Sequence, residues 1–216
     1  MALGLDAVRS RIVRACEMVG RDASEVTLVA VSKTFGVDAI RAAYDAGQRV
    51  FGESYAQELV HKAEALSFPD LEWRMIGHLQ RNKAKRVVGV ARAIDSVDSS
   101  RLAHAIDRHA RDAGRTIEVC IEVNVAAEAQ KSGVRIGALD ALVAEVRGLD
   151  ALRLTGLMTV PPAEGDPRPV FRALREAAER LELPALSMGM SGDLEAAIAE
   201  GATMVRVGTA IFGARG

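Results

Sequence analysis

Lys33 ends the apolar run Thr27-Leu28-Val29-Ala30-Val31-Ser32, where an amine could do covalent chemistry. The chain holds five lysines against twenty-three arginines, and the other four (Lys62, Lys83, Lys85, Lys131) fall in segments that read as helix surface or loop. Under the two-residue strand period Lys33 shares a face with Val29 and Val31. An amine at the end of a buried strand loses part of its hydration and becomes a nucleophile toward carbonyls. The alternative is a lysine whose stem lies on apolar surface while its ammonium reaches water. A second cation, Arg206, lies inside Thr203-Met204-Val205-Arg206-Val207, in phase with Met204 and Gly208. A charge there requires a buried partner, for which Glu122 is a candidate, or a ligand.

Two segments suit an anion. Ser187-Met188-Gly189-Met190-Ser191-Gly192 leads toward a helix, with Ser191 placed as its N-cap, and Val207-Gly208-Thr209-Ala210 has the same character. Backbone N–H groups at a helix start, joined by Ser or Thr hydroxyls, bind phosphate without a lysine. The competing reading is a pair of ordinary capped helix starts. A strand-end lysine, a phosphate cradle and a strand arginine together fit pyridoxal 5′-phosphate. The lysine would take the aldehyde, the cradle the phosphate, and an arginine beside the pyridine nitrogen would weaken the ring as an electron sink.

Strand-like and helix-like segments must position these groups, and they alternate along the whole chain. Strands are expected near 26–32, 48–52, 71–76, 91–95, 116–124, 152–158, 184–187 and 203–207. Helices are expected near 3–20, 37–47, 54–66, 79–89, 99–113, 136–147, 167–182 and 191–200. Strands separated by helices pair in parallel with right-handed crossovers. The count of eight, and the lack of a Gly-x-Gly-x-x-Gly turn after the first strand, favour an α/β fold of the (β/α)8 TIM-barrel kind over an open doubly wound sheet. One domain spanning 1–216 is expected. Its active site would lie at the C-terminal strand ends, where glycines gather so that backbone can approach a ligand. The turn-rich 161–167 is the loop that stands out there.

A net charge of -1 argues against nucleic acid as a partner. No apolar run approaches a membrane span. Asp6 and Glu17 interrupt the Arg-bearing N-terminus, so it reads as a structural helix rather than a transit peptide. Cys16 and Cys120 read as reduced core residues, which points to the cytoplasm, and the four histidines form no metal-ligand pattern.

With these marks in hand, the chain resembles the pyridoxal phosphate homeostasis protein family, single-domain relatives of the alanine racemase barrel. The resemblance rests on Val31-Ser32-Lys33-Thr34, Phe51-Gly52-Glu53-Ser54-Tyr55, Ile76-Gly77-His78-Leu79-Gln80, Lys131-Ser132-Gly133, Gly156-Leu157-Met158, Leu186-Ser187-Met188-Gly189-Met190-Ser191 and Met204-Val205-Arg206-Val207-Gly208-Thr209. It implies an alanine-racemase-like barrel in which Lys33 carries the cofactor as an internal aldimine. Ser191, Gly208 and Thr209 would hold its phosphate, with Met188 and Gly189 in the same segment, and Arg206 would face the pyridine nitrogen. Ser54, where the family usually has Asn, and His78 complete the expected cofactor contacts, His78 against the alternative of a structural histidine. Arg74 and Met75 replace the commoner His-Phe, an exchange expected to matter little. Lys131 reads as a solvated loop lysine, with a secondary role in cofactor transfer as the alternative.

The resemblance implies a monomeric, cytoplasmic, non-catalytic carrier that holds the cofactor for apo-enzymes dependent on it. The alternative is an amino-acid racemase, which needs an acid–base group on each face of the bound substrate. Fold relatives take a tyrosine for this from a second domain, and this chain is expected to lack one. Tyr55, opening a helix after the second strand, keeps the enzyme reading open. A Schiff-base aldolase is a third reading, and it leaves Arg206 without a role.

Overall fold

Eight short strands carry the β-branched and aliphatic runs of the sequence. They are Thr27–Val31 (β1), Val50–Glu53 (β2), Glu72–Met75 (β3), Ala93–Val97 (β4), Ile117–Glu122 (β5), Leu152–Met158 (β6), Ala185–Ser187 (β7) and Met204–Val207 (β8). In the computed structural model, which describes residues 2–213, each strand pairs in parallel with the next and β8 closes on β1. The expected barrel is therefore present. Met1 and residues 214–216, the ends of the expected 1–216 domain, lie outside the described residues.

Nine α-helices surround the barrel among the described residues. They are Ala2–Met18 (α1), Val37–Asp45 (α2), Ala56–Ala65 (α3), Ala84–Val90 (α4), Ser100–Asp112 (α5), Leu139–Arg147 (α6), Arg168–Arg180 (α7), Leu194–Ala199 (α8) and Thr209–Phe212 (α9). The longer helices between strands present an apolar stripe to the sheet, as Phe171, Leu174, Ala177 and Ala178 do in α7, while α1 packs on α8 and α9. The main core fills the layer between helices and strands, taking Ala30, Phe51, Trp73 and Val205 from the strands' outer faces. No helix among the described residues is long and apolar enough to cross a membrane.

Inside the barrel Val29, Cys120, Met158 and Met204 form a separate small cluster. Polar groups share this interior. Arg74 on β3 grips Asp95 on β4 with both ends of its fork, at 2.7 and 3.0 Å, and both residues are buried. The exchange expected to matter little thus places a bidentate ion pair in the barrel, with Asp95 holding the guanidinium charged against the penalty of burial. Cys120 beside it is pushed up to about 12 by burial, which makes it inert.

At the opposite end from the mouth, buried Gln48 extends the β1–β2 pairing downward. Its Nε2 donates to Leu28 O at 2.8 Å and Val50 O at 2.7 Å. Gln48→Leu removes both of these bonds from the β1–β2 junction, and a cost of roughly 2 kcal/mol is expected. Thermal unfolding should show this as a fall in Tm of about 4–8 °C.

Candidate functional site

A cavity of about 350 Å³ opens at the C-terminal strand ends, lined by Lys33, Ser54, Ser191, Arg206, Gly208 and Thr209 on its polar side. Val31, Phe35, Ile76, Val160 and Met190 form its apolar walls. Six of the nine residues expected to contact a cofactor therefore meet in one place.

The strand period delivers the two cations. Ser32 N donates to Gly52 O at 3.1 Å, which prolongs β1 to the edge of the cavity, and Lys33 follows on the inward face, half-buried. Arg206 lies on β8, the neighbour of β1 around the barrel, and is 4 % exposed. Among the described residues its donors reach only neutral oxygens, Ser187 Oγ and Thr159 O, both at 2.9 Å. Burial pushes the guanidinium down from its ordinary value, and Asp95, Glu122 and Asp193 oppose that through space. The candidate partner Glu122 does not pair with Arg206. Its Oε2 is buried without a hydrogen bond, and burial raises its carboxyl to about 7, reinforced by Asp98 and opposed by Arg206 and His78.

The anion-binding side combines two loops. Gly208 is the N-cap residue of α9 and Thr209 its first helical residue. A Cβ on Gly208 would come within 3.0 Å of Val31 O, so close strand packing asks for glycine there. The leading N–H groups of a helix have no intrahelical partner and face outward, here beside the Thr209 hydroxyl. Ser191 reaches the cavity from the loop after β7, but it is not a helix cap. That position belongs to Asp193, whose Oδ1 accepts from Met190 N at 2.5 Å.

Three expected contacts do not line the cavity. Met188 is fully buried in the main core. Gly189 turns the chain at a φ of 93°, where a Cβ would meet Ala197 Cβ at 2.5 Å, and its carbonyl accepts from Arg206 N at 2.9 Å. Both support the loop from behind. His78 lies in a neighbouring basin with Gln80, Asp98 and Gly133, its side chain 55 % exposed and its Nδ1 3.1 Å from Asp98 Oδ2. Lys131 shares that basin but is tied down, 2.6 Å from Glu128 Oε1 and donating to Pro161 O at 2.9 Å. Gly77 is required to be small because a Cβ there would collide with the Ser54 backbone.

Sequence reasoning missed the apolar walls. Val160 and Met190 are exposed hydrophobics at the mouth, and Phe35 stacks on Phe212 with centroids 5.0 Å apart. Ile76, one residue past β3, carried a usable signal, since it continues the inward phase of Arg74.

The family described as alanine racemase, N-terminal domain, matches residues 3–216. The pyridoxal phosphate homeostasis protein of Aquifex aeolicus (strain VF5) is 44% identical over 220 residues, covering 98% of this chain and 96% of that protein. The protein of the same description from Escherichia coli (strain K12) is 42% identical over 226 residues, covering 100% and 97%. Among solved structures, PipY of Synechococcus elongatus PCC7942 with PLP bound superposes with a TM-score of 0.83 at 37% identity, covering 94% of this chain and 100% of that one.

Proposed function

Because the chain belongs to the pyridoxal phosphate homeostasis proteins of the alanine racemase N-terminal-domain family, we propose that it holds pyridoxal 5′-phosphate in the mouth cavity and passes it on without catalysis. The observation that carries this reading is the convergence of the Lys33 amine and the buried Arg206 cation on one cavity that also has Ser191, Gly208 and Thr209 on its wall.

The residues fit the group. Pyridoxal phosphate supplies an aldehyde that an amine captures reversibly, together with a phosphate that needs donors. Lys33 supplies the amine. Thr209, Ser191 and the backbone at Gly208 supply donors without a bulky side chain. Arg206 has donor capacity left after its two neutral partners and, among the described residues, no carboxylate bound to it, as expected of a cation that faces a ligand acceptor. A cation there disfavours a proton on a ring nitrogen and blunts electron withdrawal, which suits retention more than turnover. The relative PipY has been solved with PLP bound, which supports pyridoxal phosphate as the ligand of this cavity.

The cavity wall also favours a carrier over a racemase. Among the described lining residues Lys33 is the one group able to exchange a proton with carbon at neutral pH. Tyr55 is 56 % exposed and does not line the cavity, while Tyr44 is engaged with Asp70 on the outer surface. We place this carrier in the cytoplasm as a monomer, with apo-enzymes dependent on the cofactor as its recipients.

The test is transfer. Loaded protein mixed with an apo-aminotransferase should restore that enzyme's activity, and incubation with L-alanine should yield no D-alanine. Sustained racemisation by the loaded protein would overturn the carrier reading.

A further inference from the structure

Behind the cavity, on the helix side of β1, lies a buried charge cluster that the binding reading leaves unused. Lys62 on α3, read from sequence as helix surface, is 4 % exposed. Its ammonium makes three hydrogen bonds, to Glu53 Oε1 at 2.7 Å, Glu58 Oε2 at 2.8 Å and the backbone carbonyl of Ser32 at 2.8 Å. That exhausts its donors. Glu53 Oε1 also accepts from Ser32 Oγ at 2.7 Å, and Glu58 Oε2 accepts from Thr34 N at 2.8 Å. One ammonium and two carboxylates thus hold the polar groups of the residues immediately before and after Lys33.

Thr34 gives this grip its meaning. Its φ is 70°, the left-handed region that a β-branched residue avoids. Strain of that kind persists only where the surroundings over-determine it, and it gathers at functional positions. Stability alone does not account for the cluster, because replacing a buried ion pair by apolar residues of similar volume is often neutral or favourable. Burial also leaves Glu53 Oε2 without a partner and raises the Glu53 carboxyl, with Lys62 and Ser32 pulling it back. What an apolar side chain at position 62 could not do is hold the Ser32 carbonyl.

We propose that Lys62, with Glu53 and Glu58, is a positioning device that clamps the peptide groups flanking Lys33 and so aims its amine into the cavity. This rests on the reading that Lys33 takes the aldehyde of pyridoxal phosphate. An amine aimed this way meets a ligand whose phosphate is already fixed, and orientation of this sort governs how readily the bond forms.

The experiment compares wild type with Lys62→Met, which keeps length and removes the donors, and with Glu58→Gln, a milder change at a partly exposed side chain. Three quantities are read on folded protein: exchange of the Thr34 amide, borohydride-trapped pyridoxal phosphate at Lys33, and reductive methylation of Lys33 by formaldehyde, which needs no orientation. Positioning predicts faster Thr34 exchange and a trapped yield at subsaturating ligand lower by about tenfold, with methylation little changed. A merely structural role predicts unchanged trapping while the variants remain folded, and that result would overturn the proposal. If Lys62→Met does not fold, Glu58→Gln decides by the same readings. If wild type itself traps nothing at Lys33, the binding reading fails. The clamp is then judged on Thr34 exchange, where an unaltered rate in both variants refutes it.

Discussion

Lys33→Ala is expected to abolish covalent retention of pyridoxal phosphate and to weaken overall binding by roughly 100-fold, or ~3 kcal/mol. A bond between a free amine and a free aldehyde in water is weak. It becomes strong when the phosphate is held first, because the amine then acts at a high effective concentration. The substitution removes that bond but leaves Arg206, Ser191, Gly208 and Thr209 on the wall. Residual binding should therefore persist, with the visible absorption of the bound cofactor replaced by that of the free aldehyde. Equilibrium dialysis of the two proteins side by side measures the difference. A variant with wild-type affinity and an unaltered spectrum would mean that another amine carries the ligand.

Glu122→Gln is expected to stabilise the protein at pH 8 by about 3 kcal/mol, from a carboxyl raised from 4.5 to about 7 in the fold. The sign follows from proton uptake. Below pH 4.5 the carboxyl is neutral in the folded and unfolded chains alike, so Gln changes little. Between 4.5 and 7 the unfolded chain ionises while the folded chain keeps its proton, so wild type loses stability as pH rises. Above 7 the folded carboxylate is buried, with Oε2 unpartnered and Asp98 adding repulsion, and the full penalty is present. Arg206 and His78 offset part of it, and Gln gives up their attraction. Thermal unfolding should show a gain in Tm of roughly 6–12 °C at pH 8 that disappears below pH 4.5. A gain of equal size at both pH values would show that packing, not ionisation, is responsible.

The barrel was legible because most strands are short β-branched or aliphatic runs and the segments between them carry helical stripes, signals that are local. Parity along a strand placed Lys33 and Arg206 on the inner face for the same reason. Loop residues were not fixed by parity. Met188 and Gly189 turn behind the cavity, His78 falls into the next basin, and the expected cap at Ser191 moved to Asp193 because α8 begins at Leu194. Charge pairing was legible only at helical spacing. Glu58 and Lys62 are four residues apart, but the burial of Lys62 depends on Glu53 and on the Ser32 carbonyl, thirty residues away on β1's extension. Likewise the Arg74–Asp95 pair spans two strands, and its interior placement required the barrel's register.

The central claim is that Lys33 is the residue that carries pyridoxal phosphate. The measurement that tests it most directly is borohydride reduction of the protein loaded with one equivalent of the cofactor, followed by peptide mapping by mass spectrometry. The expected result is a single phosphopyridoxyl group on the peptide containing Lys33, with Lys62, Lys83, Lys85 and Lys131 unmodified. A reduced adduct confined to any of those four lysines, or no adduct at all, would contradict the account.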